Sequence, residues 1–348
     1  MSSYHSEIGL ALVGAGYWGT NLARTFTATP GIALKVVCDR RRAALQEIQK
    51  RYTGVEVTDS WNSVVGSSEI DAVVLATPPS THYRLAREAL SAGKHTWVEK
   101  PLALRYEEGR GLVEAARKAK RMLFVDETFL YDALVERARE LIATGSIGKL
   151  YHASFERTGM GRIRRDSNVW WNSAPHDLSV LRHVLNLPVL RMSVFGHARV
   201  QRGIEDVVWA ALELGENVSL HLYLSWLFPD KRARMTIVGE TGIIEYEGRF
   251  EKRALRRYNY KLGKITSETP EEISSANLIP IESFEVTETI QDDRREPLLV
   301  SCAAFRDSIL SGLPAPSSGE RSLATVAALE AGDHSLAQNG LWVQIPQD

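Results

Sequence analysis

Residues 8–19, IGLALVGAGYWG, decide the fold of this chain. An apolar strand runs directly into a G-x-G-x-x-G turn made by Gly14, Gly16 and Gly19. In such a turn the first glycine permits a tight bend, the second lets backbone amides approach a pyrophosphate, and the third lets the next helix pack close to the strand. The positive end of that helix then faces the phosphates. The stretch therefore predicts a dinucleotide-binding turn.

The end of the second predicted strand supports this interpretation. Residues 33–38 form that strand, and it ends at Asp39, where a carboxylate can accept hydrogen bonds from the adenosine ribose hydroxyls. A carboxylate there favours NAD over NADP because it repels a 2′-phosphate, whereas the adjacent Arg40 and Arg41 work against that preference. The alternative is a glycine-rich strand–helix turn in an unrelated α/β fold.

Composition limits the function classes. The 348 residues are 44% hydrophobic and 24% charged, with a formal net charge of −1, which is typical of a globular protein with two domains. This balance gives no electrostatic reason to expect a nucleic-acid or membrane partner. No apolar run approaches the roughly 18 residues of a membrane span, and the N-terminus lacks a signal-peptide layout, so we expect a cytoplasmic protein. Cys38 and Cys302 are expected to be buried thiols, and no metal site is predicted.

The order of predicted elements divides the chain in two. Up to residue 126, strands and amphipathic helices alternate, which predicts a Rossmann domain with a parallel sheet and its ligand at the carboxyl ends of the strands. Residues 127–348 are predicted to form an α+β domain with an open, mostly antiparallel sheet, and a polar stretch from 252 to 296 is predicted as loop with one or two strands. The predicted strands of the first domain are 8–13, 33–38, 55–57, 70–76, 95–99 and 122–125.

Three further segments carry candidate chemistry. Thr77 and Pro78 follow the fourth strand, where a proline-stiffened backbone could line the cofactor, although a simple turn is the alternative. Glu99 and Lys100 follow the fifth strand, and an ammonium there can stabilise a developing alkoxide during hydride transfer and help remove its proton. A surface Glu–Lys pair is the alternative for that position.

The third segment, residues 168–179, reads NVWWNSAPHDLS. We expect a helix to begin at about Pro175, since proline is favoured in the first turn. His176 would then lie in that first turn, where the helix dipole lowers its pKa and favours the neutral imidazole of a general base.

Taken in order, GAGYWGTNLAR, ATPPSTH, EKP and NVWWNSAPHDLS resemble the Gfo/Idh/MocA oxidoreductase family. Residues 128–171 are similar to the branch of nucleotide-sugar 3-dehydrogenases that oxidise substrates such as UDP-N-acetylglucosamine. The resemblance implies NAD, hydride transfer at a sugar ring carbon, a small-molecule substrate, and a homo-oligomer (dimer or tetramer) built on the open sheet. The family's catalytic lysine and histidine match Lys100 and His176.

This interpretation assigns a cofactor set and a substrate set. The cofactor set is Gly14, Gly16, Tyr17, Trp18, Gly19, Asp39, Arg40, Thr77, Pro78, His82, Glu99 and Lys100. The substrate set, facing the cofactor across an interdomain cleft, is Glu127, Tyr131, Arg162, Arg164, Asn168, Asn172 and His176. Arg162 or Arg165 could bind a diphosphate bidentately, the alternative being an arginine run on a solvated loop.

Two departures from the family pattern leave alternatives open. Asn172 stands where the family usually has an aspartate, and Asp126-Glu127 replaces the glycine-histidine of the branch. An amide can bind a sugar hydroxyl but cannot hold charge, so a proton relay through that position is in question. Glu127 could replace the charge or be solvated. The other readings are a keto-sugar reductase, an inositol dehydrogenase, and a non-catalytic NAD(H) sensor.

Overall fold

A computed structural model describes residues 7–161, 163–248, 253–263, 279, 281–291 and 295–346. The chain divides into two compact units. The first contains the chain up to Asp132 together with Leu178–Val180 and Arg295–Glu330, and the second contains Ala133–Asp177, Leu181–Arg294 and the residues from Ala331 onward. The first unit thus extends past residue 126 and takes a late segment of the chain that the sequence analysis gave to the second domain.

The first unit is built on a parallel sheet of six strands in the order β3-β2-β1-β4-β5-β6. This confirms the predicted Rossmann architecture. Its elements are β1 (Ile8–Val13), α1 (Tyr17–Thr27), β2 (Ile32–Cys38), α2 (Arg42–Arg51), β3 (Glu56–Thr58), α3 (Trp61–Gly66), β4 (Ala72–Leu75), α4 (His82–Ser91), β5 (His95–Val98), α5 (Tyr106–Ala119) and β6 (Leu123–Val125). Short 3-10 helices cover Pro79–Thr81 and Thr128–Tyr131.

The two faces of this sheet bury separate apolar clusters because alternate residues of each strand point to opposite sides. Leu10 and Leu12 of β1 belong to one cluster, while Ala11 and Val13 belong to the other. All four side chains have 6% exposure or less, so β1 is a central, fully covered strand. This explains the continuous apolar run that precedes the glycine turn.

Aromatic side chains fill the first of these clusters. Trp97 stacks on Phe124 with ring centroids 4.4 Å apart, and Phe26 meets Trp97 edge-on at 5.2 Å. Phe305 of the late helix α8 (Pro297–Ser311) contacts the same rings at 5.4 to 6.3 Å. Helix α8 therefore completes the core of the first unit. A further helix, α9 (Gly319–Ala337), starts in this unit.

The second unit contains, within the described residues, a nine-stranded sheet in the order β14-β13-β12-β11-β7-β10-β9-β8-β15. Every neighbouring pair is antiparallel except β10 with β7, which confirms the mostly antiparallel prediction. The strands are β7 (Leu150–Thr158), β8 (Val189–His197), β9 (Val207–Leu214), β10 (Ser219–Ser225), β11 (Arg232–Gly239), β12 (Gly242–Glu247), β13 (Ala254–Leu262), β14 (Ile281–Gln291) and β15 (Val343–Gln344). Helices α6 (Ala133–Ala143) and α7 (Val169–Leu185) accompany them.

The start of α7 differs from the sequence prediction. The helix begins at Val169, because the side chain of Asn168 accepts a hydrogen bond from the amide of Trp171 at 3.0 Å and so caps the first turn. Pro175 lies inside the helix. A proline tolerated in a helix interior gives the same local sequence signal as a proline at a helix start, and this ambiguity made the predicted boundary wrong.

One face of the second sheet carries an exposed row of aromatic rings. Phe195 and Trp209 are 46% and 43% exposed, and their ring centroids lie 6.2 Å apart. Trp209 also stacks on Tyr223 at 5.5 Å. These side chains form an aromatic row across β8, β9 and β10.

Cys38 and Cys302 are buried and free, as predicted. Among the described residues, none of the helices has the length and apolar character that crossing a membrane requires.

Candidate cofactor site and catalytic residues

The register of the first sheet places the ends of its strands in one row. Val13 pairs with Cys38 and Leu75, Leu75 with Val98, and Val98 with Val125. The residues that follow these positions therefore emerge side by side at the carboxyl edge: Asp39, Gly14, Ala76, Glu99 and Asp126. This edge is where open α/β sheets bind ligands.

The glycine turn has the shape that a pyrophosphate requires. Gly14 has φ +99°, and a Cβ there would lie 2.4 Å from the carbonyl oxygen of Ala76, while a Cβ at Gly19 would lie 1.9 Å from the carbonyl oxygen of Gly14. Packing thus demands glycine at both positions. A Cβ at Gly16 would meet only Nη2 of Arg41, at 3.9 Å, so packing does not explain that glycine.

Gly16 is also the N-cap of α1, where no side chain caps the helix. The first turn carries no acidic side chain, and Tyr17 and Trp18 in that turn are 68% and 36% exposed. Open space at Gly16 and amides without a side-chain cap are what a phosphate ligand needs. The residues of this turn therefore fit the pyrophosphate of NAD.

Asp39 ties the end of β2 to the glycine turn. Its Oδ2 accepts the Ala15 amide at 2.7 Å, and its Oδ1 accepts the Arg41 amide at 2.8 Å. The Arg41 guanidinium donates to both oxygens, at 3.1 and 2.9 Å. Burial favours the neutral acid, but the hydrogen bonds from Arg41 and Ala15 outweigh it and lower the pKa of Asp39. Asp39 is therefore a charged acceptor beside the turn, whereas Arg40 is exposed.

His82 stands behind the loop that follows β4. It has no exposed surface, and its two ring nitrogens lie 2.8 Å from the carbonyl oxygen of Pro101 and 3.0 Å from that of Thr77. Thr77 also accepts the hydroxyl hydrogen bond of Thr81 at 2.7 Å. His82 was expected to contact the cofactor, but its burial means that it holds the Thr77–Pro78 loop against the Lys100–Pro101 segment instead.

An acid pair and an indole meet at the ends of β5 and β6. The amide of Glu99 donates to the Leu75 carbonyl at 3.0 Å, and the amide of Asp126 donates to the Val98 carbonyl at 2.9 Å. Oδ2 of Asp126 accepts the indole N–H of Trp18 at 3.0 Å. Lys100 follows Glu99 directly, so the sheet fixes this lysine at the edge where the cofactor's nicotinamide half is expected.

Two residues of the predicted substrate set pack within the first unit, Glu127 buried and Tyr131 partly exposed. Glu127 is 3% exposed and accepts a hydrogen bond from Thr325 at 3.2 Å, so it is not the solvated side chain that one alternative expected. The hydroxyl of Tyr131 lies 2.7 Å from that of Ser317, and the Tyr131 ring stacks on Phe124. Burial raises the pKa of Tyr131. Tyr131 is thus part of the packing beneath β6.

Helix α7 positions the remaining candidates. Asn168 is its N-cap and also donates to Glu205 at 2.8 Å, which gives this residue a structural role. Asn172 and His176 are both partly exposed on the helix. His176 lies in the helix interior rather than in the first turn, so the dipole argument for a lowered pKa does not apply to it.

A partly buried ion pair next to His176 was not anticipated. Asp177 is 3% exposed and accepts a bidentate hydrogen bond from Arg157 of β7, with contacts of 2.6 to 3.1 Å. This pair fixes the middle of α7 against β7 and thereby orients the helical turn that carries His176. The arginine lies on a strand outside the motif, 20 residues before Asp177, so only tertiary structure identifies the pair.

The structure describes only part of the predicted arginine run. Arg162 lies outside the described residues. Arg164 forms an ion pair with Asp166 at 2.8 Å, and its carbonyl accepts a hydrogen bond from Gln201. The diphosphate role of these arginines therefore stays a prediction.

A glycine turn without a side-chain cap, an acid on β2 and an ordered row of strand ends define an NAD-binding Rossmann unit. Two family profiles match the chain: the oxidoreductase family with NAD-binding Rossmann fold over residues 8–127, and the GFO/IDH/MocA C-terminal domain over residues 135–245. The chain belongs to the Gfo/Idh/MocA oxidoreductase family, as its motifs indicated.

Individual relatives are similar over part of their length. The NAD(+)-dependent scyllo-inositol 2-dehydrogenase of Bacillus subtilis (strain 168) is 27% identical over 56% of this chain and 58% of its own length. The D-glucoside 3-dehydrogenase of Escherichia coli (strain K12) is 28% identical over 42% of each chain. The matches span about half the length of such curated relatives. The crystal structure of GenD2 from gentamicin A biosynthesis, in complex with NAD, shares the fold, with a TM-score of 0.82, 21% identity and coverage of 99% of this chain and 98% of that one.

Proposed function

We propose that this chain is an NAD-dependent dehydrogenase that oxidises a ring hydroxyl of a sugar or polyol. The observation that carries the proposal is the position of Lys100, which directly follows Glu99, the residue after β5 in the row of strand ends that also holds Gly14 and Asp39. Asp39 marks the adenosine side of this row, so the nicotinamide half of the cofactor belongs over β4, β5 and β6. Lys100 stands on that side.

The chemistry assigns a role to each polar group. When bound, NAD+ supplies the acceptor for the hydride that leaves the substrate carbon. Lys100 donates a hydrogen bond to the substrate hydroxyl oxygen and stabilises the negative charge that develops there. His176 accepts the hydroxyl proton as general base, and the Arg157–Asp177 pair holds its helical turn in place.

For the substrate, we propose a nucleotide sugar such as UDP-N-acetylglucosamine, oxidised at C3. The similarity of residues 128–171 to nucleotide-sugar dehydrogenases supports it, and the name of the glucoside 3-dehydrogenase relative supports oxidation at position 3. An inositol is the second candidate, favoured by the scyllo-inositol dehydrogenase relative.

A substrate panel tests the activity. The chain is incubated with NAD+ and one candidate substrate at a time: UDP-N-acetylglucosamine, its uronic acid, methyl glucoside or scyllo-inositol. Formation of NADH is followed by its absorbance. We expect turnover with a nucleotide sugar and its loss in Lys100→Ala. Turnover with scyllo-inositol alone would identify an inositol, rather than a nucleotide sugar, as the substrate. Silence with every substrate, together with measurable NAD+ binding, would favour a non-catalytic sensor.

We also propose that the aromatic row of the second sheet binds a second copy of this chain. Phe195 and Trp209 stack on each other across paired strands, yet both side chains are exposed to solvent. A partner that covered these rings would remove their apolar surface from water. Light scattering should show a dimer or tetramer that Trp209→Asp dissociates. A monomeric wild type would contradict this proposal.

A further inference from the structure

Three arginines lie on two loops of the second unit that contact each other. Arg165 lies in the loop between β7 and α7, and Arg199 and Arg202 lie in the loop between β8 and β9. Strands β7 and β8 run in the same direction, so both loops leave the same end of the sheet. The side chain of Gln201 donates to the carbonyl oxygen of Arg164 at 2.6 Å, which joins the two loops. The arginines therefore belong to one basic surface.

The loop between β8 and β9 has a well-defined shape. Oδ2 of Asp206 accepts the amides of Arg199 and Val200, both at 2.7 Å, and Asp206 is only 1% exposed. Residues 201–204 close a tight turn, in which Gly203 takes φ +75°, a conformation that favours glycine. The buried carboxylate and the turn thus hold the backbone that carries both arginines of this loop.

The positive charge of the surface is available to a ligand. Arg165, Arg199 and Arg202 are exposed and form no ion pair among the residues that the structure describes. Arg164 differs, because its guanidinium donates to both carboxylate oxygens of Asp166, at 2.8 and 2.9 Å. An anion that meets this surface would therefore contact the three other arginines rather than Arg164.

The basic surface lies at the start of α7. The Asn168 side chain donates to the Glu205 carboxylate at 2.8 Å, and the Val169 amide donates to the Glu205 carbonyl at 2.8 Å. These two bonds attach the loop between β8 and β9 to the first residues of the helix. His176 follows Asn168 by eight residues, about 12 Å along the helix axis. A nucleotide sugar, whose ring is joined directly to a diphosphate, spans such a distance.

We propose that Arg165, Arg199 and Arg202 bind the diphosphate of a nucleotide-sugar substrate whose ring lies at His176. A guanidinium fits two phosphate oxygens in a planar, bidentate contact, and its charge does not depend on pH in the physiological range. The inference rests on the proposed function, because it assigns a second contact to the same substrate. It moves the diphosphate contact from Arg164 to arginines on two loops.

Calorimetric titration with UDP in the presence of saturating NAD+ tests this site without turnover. Bound NAD+ occupies the site of its own diphosphate, so UDP reports on a different one. The wild type should bind UDP, and its affinity should fall as the salt concentration rises. Arg165→Ala, Arg199→Ala and Arg202→Ala should each weaken UDP binding about tenfold, since each removes a charge-assisted hydrogen bond.

The controls separate this site from general charge effects. Lys149→Ala removes an exposed cation at the opposite end of β7 and should bind UDP as the wild type does. Inorganic pyrophosphate should lose affinity in the same arginine variants as UDP, whereas uridine should bind far more weakly than UDP. UDP binding that none of the three arginine variants weakens, or uridine binding as tight as that of UDP, would overturn the proposal.

Kinetics link the site to the substrate. With UDP-N-acetylglucosamine, Arg199→Ala should raise KM about tenfold and change kcat much less, because the contact is made in the ground state as well as in the transition state. Turnover of methyl glucoside by a chain that does not bind UDP would overturn the diphosphate site and leave the dehydrogenase activity intact. Arginine-dependent UDP binding without oxidation of any substrate would support the site and refute the proposed function, so the two failures are distinguishable.

Discussion

The indole Nε1 of Trp18 donates a hydrogen bond to Oδ2 of Asp126 over 3.0 Å, and this bond joins the glycine turn to the end of β6. Trp18→Phe keeps the ring and loses the donor. NAD+ affinity should fall by up to roughly tenfold, because the turn that binds the cofactor loses a hydrogen bond, worth up to about 1.5 kcal/mol, that holds it in place. Calorimetric titration with NAD+ measures this. Trp61→Phe, which loses an indole bond to Glu88 elsewhere in the same unit, should bind normally.

The contact between Asp39 and Arg41 gives a test of the cofactor preference. We expect wild type to prefer NAD+ because the pKa of Asp39 is lowered and its carboxylate repels a 2′-phosphate. Asp39→Ser should weaken NAD+ binding about tenfold and release Arg41 toward the phosphate of NADP+. Dissociation constants for NAD+ and NADP+, measured on the wild type and the variant, test this preference. Equal affinity of the wild type for NAD+ and NADP+ would mean that Arg40 and Arg41 outweigh Asp39 in the choice of cofactor.

Substitution of Lys100 should separate chemistry from binding. Lys100→Ala is expected to lower kcat by about two to four orders of magnitude, while the dissociation constant for NAD+ stays close to that of wild type. His176→Ala should behave similarly. Steady-state kinetics and NAD+ titration of each variant provide the comparison, and near-normal turnover would remove that residue from the mechanism.

Asn172 allows a test of the departure from the family pattern, in which this position is usually an aspartate. Asn172→Asp places a carboxylate one helical turn before His176, where it can raise the pKa of the imidazole. In a working enzyme the pH–rate profile should shift, with a modest change in rate. Activity that arises only in the aspartate variant would show that the wild type had lost catalysis at this position.

His95 should make the protein less stable in mild acid. Burial, followed by the charge of Arg121, lowers the pKa of His95 to about 4, and its Nδ1 accepts the Met122 amide at 3.0 Å. The unfolded chain binds a proton below about pH 6.5, so this contribution is complete above that pH and is lost as the pH falls toward 4. His95→Gln should flatten the pH dependence of the free energy of unfolding by up to about 2 kcal/mol, whereas the exposed control His221→Gln should not.

Local signals in the sequence were sufficient for much of the first unit. The continuous apolar run of β1 and the spacing from Gly14 to Asp39 are local features, so the parallel sheet and the cofactor turn could be predicted. The same reasoning located Lys100 at a strand end. Each of these features is encoded within a few dozen residues.

Other features required tertiary structure. His82 was assigned to the cofactor because it follows a strand end, but its burial depends on the Pro101 segment. Trp18 contacts Asp126 across 108 residues of sequence, and the Arg157–Asp177 pair joins a strand to a helix, 20 residues apart, that no local pattern pairs. Asn168 as a helix cap could have been found from sequence, because asparagine before an apolar helical run is a known start signal.

Helix α8 has a consequence for biosynthesis. Its Phe305 closes the aromatic cluster of Trp97 and Phe124, yet it is translated after nearly all of the second unit. During synthesis, the rings of Trp97 and Phe124 therefore lack this contact until the late segment leaves the ribosome. Chaperones that bind exposed aromatic surface would meet the chain at this stage, and a truncated product that ends before residue 297 would keep that surface permanently.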